Sequence, residues 1–305
     1  MSLNLVNPFM KFASGGAPST STALDDGILM GGSTSPWSVT DRVMHWDGTN
    51  WSNGTVLPAG RQFNAGGGNT SDAIMMGGGN NAGASNAFNT TYTWNGSSWT
   101  TGGTMGLAEA LLAGGGDSSD AVWCGGSPNG GTSYVDDCEV YNGSTWSAVT
   151  NIDQNRYALQ GGGQSDNFIY QGGVNQTGGK DNKSFSWNGS SWTTEATMSP
   201  ASGNGYGYAG GDGTGSSCIV SIQSGNTANH YYKFSGGSWS NTATSNYFLS
   251  YSVNGGDADT ALGAGGYGGG TTSNQSEYWD GSSWTSTNNL TGGSVTGQMG
   301  ANLYP

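Results

Sequence analysis

Trp94-Asn95-Gly96-Ser97-Ser98-Trp99 is one of six copies of an aromatic-x-Gly-x-x-Trp string, and its recurrence decides the architecture. The others are Trp46-Asp-Gly-Thr-Asn-Trp51, Tyr141-Asn-Gly-Ser-Thr-Trp146, Trp187-Asn-Gly-Ser-Ser-Trp192, Phe234-Ser-Gly-Gly-Ser-Trp239 and Trp279-Asp-Gly-Ser-Ser-Trp284. Their closing tryptophans lie 48, 47, 46, 47 and 45 residues apart. A fixed period of this size marks a repeat architecture, and the spacing leaves no room for a crossover helix. Asn-Gly or Asp-Gly between alternating aromatic and polar residues is the strongest local hairpin signal, because a two-residue turn requires positive φ at its centre. Taking Asn95-Gly96 as that turn sets Tyr92 opposite Trp99 and places Tyr92, Trp94 and Trp99 on one face.

Upstream of each such hairpin stands a second one, in which glycine-ended apolar runs flank a short Ser/Asp turn. Phe63 to Gly68 and Ala73 to Gly78 surround Asn69-Thr-Ser-Asp72, and the next copies run from Leu112 and Leu159. Four strands per repeat and six repeats predict an all-β chain, a six-bladed β-propeller of four-stranded antiparallel blades forming one domain over 1–305. Trp51, Trp99, Trp146, Trp192, Trp239 and Trp284 are the expected interblade walls. Residues 1–8 form an N-terminal segment, and Phe9 to Gly16 read as the inner strand of the first blade. Residues 290–305 resemble the start of a further repeat, a strand or arm that closes the ring or reaches a neighbour, with closure expected.

Composition narrows the function. The 305 residues include 58 Gly, 12 Trp, 14 Tyr and 8 Phe, only 9% are charged, and the net charge is −13. Without a Lys/Arg cluster the chain cannot neutralise a phosphate backbone, so nucleic-acid binding is excluded. The longest apolar stretches fall far short of the roughly 20 residues that span a bilayer, so no membrane insertion is expected. Met1 to Pro8 shows neither a basic region nor a sustained apolar one, and no Sec signal is expected. Three cysteines make no disulfide framework. Cys124 and Cys138 lie on neighbouring strands and are placed to bond, although buried free thiols, Cys218 included, are the preferred reading.

An apolar strand ending in Gly-Gly, followed by an aromatic residue and a Trp a few residues apart, resembles the kelch repeat over nearly the whole chain. The Arg that commonly precedes the inner strand of such repeats has counterparts at Arg61 and Arg156, whereas Glu109 stands at the aligned place in the third repeat. The Gly-Gly is missing from the fifth repeat, which reads Cys218-Ile-Val-Ser221.

Two rims follow from a propeller. One carries Asp72, Asp117, Asp120, Asp166, Asp212, Asp257 and Asp259 in its turns; these are read as capping their own turn backbone, and no metal is expected. The other carries longer loops: Gly32 to Asp41, Gly79 to Asn89, Ser127 to Tyr134, Val174 to Lys183, Ser221 to Asn229 and Tyr267 to Gln275. Trp37, Phe88, Tyr134, Asn175, Gln176 and Tyr267 on these loops are the candidate binding rim, suited to stacking on sugar rings or contacting a protein.

Enzymatic constellations are thin. His45 and His230, the only histidines, occupy non-equivalent places, which argues against a copper centre or a nucleophilic triad. Glu139 and Glu277 stand at equivalent positions three repeats apart and read as polar substitutions in the wall, not as a glycosidase pair. No catalytic residue and no cofactor is expected.

The repeats also resemble those of kelch-like structural proteins of tailed, especially marine, bacteriophages. That resemblance implies a non-enzymatic virion protein, in a tail fibre, head fibre or decoration. Its partners would be other virion proteins or copies of itself, and a host glycan or receptor. The alternative is a secreted or surface lectin-like module, and less favoured is a carbohydrate-active enzyme.

Overall fold

The computed structural model describes residues 26–34, 38–80, 86–129, 132–198, 211–224, 228–242, 244–247, 253–268 and 271–294. Among them there is no helix, and every strand pairing is antiparallel. The second repeat is the simplest: Ala65–Gly68, Ala73–Met76, Thr91–Trp94 and Trp99–Thr101 form one four-stranded sheet in sequence order. The fifth and sixth repeats form further four-stranded sheets. Those of the third and fourth meet through a single pair, Val135 with Arg156, which merges them into an eight-stranded sheet. In the first repeat three described strands, Gly27–Met30, Val43–Trp46 and Trp51–Asn53, form one sheet, and Ser33–Thr34 pairs separately with Ser38–Val39. The inner strand expected at Phe9 to Gly16, the segment 1–8 and residues 295–305 lie outside the described residues.

The hairpin register differs from the sequence expectation. Trp94 stands opposite Trp99, Thr93 opposite Thr100 and Tyr92 opposite Thr101, so the loop is the four residues Asn95 to Ser98. A side-chain cap is the reason: Asn95 Oδ1 accepts the N–H groups of Ser97 and Ser98 at 3.0 and 2.9 Å, turning the chain with positive φ at Gly96 and not at Asn95. Asp47, Asn142, Asn188 and Asp280 cap their loops in the same way. Among the closing hairpins, only that of the fifth repeat has a two-residue turn, at Gly236 and Gly237, where both φ angles are positive. The shared face survives the shift, because the two tryptophans now stack directly, their centroids 5.2 Å apart.

The fifth repeat departs in a second way. In the first, second and sixth repeats the second strand ends at a Gly-Gly pair of positive φ, as at Gly77 and Gly78, and in the third and fourth the pair lies within the strand as a bulge. Without it, Ser217–Ser224 runs on against Ala228–Ser235 in unbroken register, so most of the predicted Ser221 to Asn229 loop is strand.

The core lies between sheets. Ile28, Met30, Val43 and Leu57 meet Ala73, Met75, Tyr92 and Trp94 between the first and second. Equivalent clusters join second to third, third to fourth, fourth to fifth and fifth to sixth. Leu29, Met44, Trp46 and Trp51 of the first repeat pack against Leu262, Ala264 and Leu290 of the last. Each closing tryptophan also spans a junction with its indole N–H. Trp99 donates to Thr55 O, Trp146 to Thr91 Oγ1, Trp192 to Thr150 O, Trp239 to Ser184 Oγ and Trp284 to Thr242 Oγ1. Trp51 donates to Ser276 Oγ at 3.1 Å, across 225 residues.

Two further periodic ties were not read from the sequence. The sixth residue after a closing tryptophan is a buried apolar anchor at Leu57, Met105, Ile152, Met198 and Leu290. The anchor N–H groups bond Asp41 O, Asn89 O, Asp136 O, Asn182 O and Asn274 O. In the fifth repeat Ser245 takes the place, and its hydroxyl donates to the buried Glu277 carboxylate. The second tie leaves from the start of each second strand. Asp26 Oδ1 accepts Thr70 N–H at 3.0 Å, Asp72 accepts Ser118 N–H, Asp120 accepts Ser165 N–H and Asn167 accepts Gly215 N–H. Ser217 Oγ accepts Ala258 N–H. Asp117 and Asp257 cap their own turns as expected, but Asp72 and Asp120 fasten the turn of the next repeat. These charge-assisted bonds add about 1.5 to 3 kcal/mol each where water is excluded.

Candidate binding rim

The predicted rim residues separate into three kinds. Tyr134 is half-buried and stacks on Tyr157 of the next repeat, with centroids 4.6 Å apart and planes at 19°; its carbonyl accepts Asn155 Nδ2 at 2.8 Å. Partial burial and the neighbouring Tyr157 hydroxyl raise the Tyr134 phenol above its ordinary range. Phe88 faces inward instead, lying over the Arg61 guanidinium at 4.2 Å. Asn175 caps its own loop, accepting Thr177 and Gly179 N–H groups, while Gln176 beside it is exposed. Tyr267 belongs to a two-residue ladder with Thr272, and its side chain, like Trp37, lies outside the described residues. The structure brings Tyr134 and Tyr157 together; it does not gather the other described rim residues onto them.

Beneath this rim, Phe63, Leu111 and Ala158 form an apolar floor with Ala110, against which Ala87 and Tyr157 pack. All three carry positive φ, at 57, 60 and 55°. Leu111 N–H donates to Phe63 O and Ala158 N–H to Leu111 O, so the strained angle turns one backbone toward the next. Each such residue costs about 1 kcal/mol of strain. Ala158→Gly is therefore expected to raise stability by about 0.5 to 1 kcal/mol despite its place in a strand, read as an upward shift of the urea midpoint. An equal loss would mean that the angle is not strained. The signal available in the sequence was position: these residues stand 48 and 47 apart.

Glu139 and Glu277 are both committed to packing. Glu139 accepts Gly106 N–H at 3.2 and 3.0 Å and Trp123 Nε1 at 3.0 Å. Glu277 accepts Asn246 N–H at 3.0 Å, and burial raises its carboxyl while these bonds oppose the rise. They occupy different junctions, each holding the linker that enters its repeat. His45 packs edge-on to Trp94 at 5.9 Å, and burial lowers its pKa. The side chain of His230 lies outside the described residues. Cys124 and Cys138 face each other across adjacent strands as free thiols.

No family model matches the chain, and no curated protein does. Among solved structures it is similar to the structure of YjhT, at 14% identity, with a TM-score of 0.66 over 89% of this chain and 99% of that one. At that identity the likeness concerns the all-β fold alone.

Proposed function

We propose that the six sheets close into a six-bladed, kelch-like β-propeller serving as a non-enzymatic structural and adhesion protein of a virion, a fibre or decoration platform. The observation that carries the reading is the Trp51 to Ser276 bond together with the buried cluster uniting first and last repeats. It supports a ring in which every wall is tied to its neighbour, a rigid mount for loops. Tyr134 and Tyr157 on the long-loop rim supply the surface for a neutral glycan or receptor, since aromatic faces stack on sugar C–H groups without needing charge.

Two measurements test it. The full chain, screened against neutral oligosaccharides or host cells, is expected to bind, and Tyr157→Ala is expected to weaken binding at least tenfold while the variant stays folded, its unfolding midpoint lowered only by the packing lost against the Phe63, Leu111 and Ala158 floor. Mass spectrometry of purified particles is expected to find the chain at fixed copy number. Absence from particles together with sugar binding by a free monomer would move the reading to a secreted lectin-like module.

A further inference from the structure

In the second and fourth repeats a buried guanidinium fills one particular slot. Arg61 Nη1 donates to Gly77 O at 2.9 Å and to Thr90 O at 3.3 Å, with Phe88 and Tyr92 against its plane. Arg156 Nη1 donates to Gly172 O at 3.0 Å, and its Nη2 pairs with Asp153 and Asp181 at 2.7 and 3.0 Å. Both set positive charge against the carbonyl of the first glycine in a Gly-Gly bulge. The third repeat offers that slot with opposite chemistry. Glu109 stands 48 residues after Arg61 and 47 before Arg156, and the backbone confirms the equivalence: Gly32 N–H donates to Arg61 O as Gly78 N–H does to Glu109 O.

Glu109 is 1% exposed, and its Oε2 has no hydrogen-bond partner among the described residues. That oxygen lies over Gly126, 3.1 Å from where a Cβ would stand. Asp137, the counterpart of Thr90, stands on the strand opposite Gly125, between the Cys124–Cys138 and Gly126–Val135 pairs, and adds a second carboxylate; burial first, and then Asp137, push the Glu109 carboxyl up to about 8. No described salt bridge involves either residue. The remaining acids on this strand are engaged elsewhere: Glu139 with Gly106 and Trp123, Asp136 with Asn151. A buried carboxylate without a partner is strongly unfavourable, and nearby carbonyls aggravate it.

We propose that the third repeat binds a calcium ion in this slot, held by the carboxylates of Glu109 and Asp137 and the carbonyl of Gly125, where its neighbours hold a guanidinium. Calcium is favoured over magnesium because it accepts irregular sets of carboxylate and carbonyl oxygens, whereas magnesium demands octahedral geometry and retains its waters. Two carboxylates balance one dication, leaving the slot neutral.

The test uses the full chain stripped with chelator and then supplied with calcium chloride. At a hundredfold excess over Kd the thermal midpoint is expected to rise by about 4 °C. Isothermal titration is expected to count one ion per chain, with a much weaker response to magnesium. Glu109→Gln and, independently, Asp137→Asn are expected to remove the shift, and Glu109→Arg to make the midpoint indifferent to calcium by restoring the neighbours' arrangement. A wild-type midpoint and titration both unmoved by calcium would overturn the proposal and leave a protonated Glu109 as the occupant. A shift of equal size in Asp137→Asn and either Glu109 variant would also overturn it, since the ion would then sit elsewhere. If Glu109→Gln fails to fold, the wild-type titration and Asp137→Asn decide.

Discussion

Trp51→Ala is expected to lower unfolding stability by about 3 to 5 kcal/mol, a large share of what holds a domain folded. The indole is only 3% exposed, tilts against Trp46 at 5.4 Å, and fills a cluster shared with Leu262, Ala264 and Leu290 of the opposite end of the chain. Its removal empties that cluster and deletes the indole bond to Ser276 Oγ, which keeps its contacts with Thr287 Oγ1 and Asn288 O. Because the contact spans 225 residues, it also holds the first and last repeats together. The comparator is Trp99→Ala, where the indole is half-exposed and donates to a loop carbonyl; the expected loss there is about 2 kcal/mol, in keeping with the smaller buried area. Denaturant midpoints of the two variants check this. Equal losses, or a loss below about 1 kcal/mol for Trp51→Ala, would mean that the ends are not joined as described.

The second large effect comes from adding one methyl group. Gly116 ends an inner strand at φ +116°, an angle that only glycine adopts without strain, and a Cβ there would stand 2.2 Å from Asp120 O and 2.5 Å from Ala121 Cα. Backbone, not a yielding side chain, occupies that space. Gly116→Ala is therefore expected to cost about 3 kcal/mol or more, from overpacking and strain together. Gly178→Ala is the control: φ is +73°, but nothing lies within 4 Å of the added atom, so only the conformational strain of about 1 kcal/mol applies. A midpoint for Gly116→Ala within error of the control would contradict the turn geometry.

The strand content and the spacing of the repeats were legible because each rests on local periodicity. The hairpin register was not. Asn-Gly signals a turn, but whether two or four residues make it depends on the Asn95 side chain competing for the N–H groups of Ser97 and Ser98, a contest that sequence alone does not score. Tyr134 was singled out from its loop position, but its stacking on Tyr157 was not, since Tyr157 belongs to the following repeat and meets it only through packing. Phe88 looked like a contact residue and proved to cover Arg61.

By itself the amino-acid sequence determined that this chain is an all-β series of repeated antiparallel hairpins, because a 47-residue beat of tryptophan and glycine is a short-range pattern set by side-chain alternation and turn chemistry. Only the tertiary structure decided which groups meet across junctions: the Asp72 and Asp120 ties, the anchors from Leu57 to Leu290, and the Trp51 bond to Ser276. The anchor bonds join residues 16 apart, and the Asp and Trp51 contacts join residues from 45 to 225 apart in the chain. Their partners are chosen by the angle between neighbouring sheets, a property of the whole packing that no local window contains.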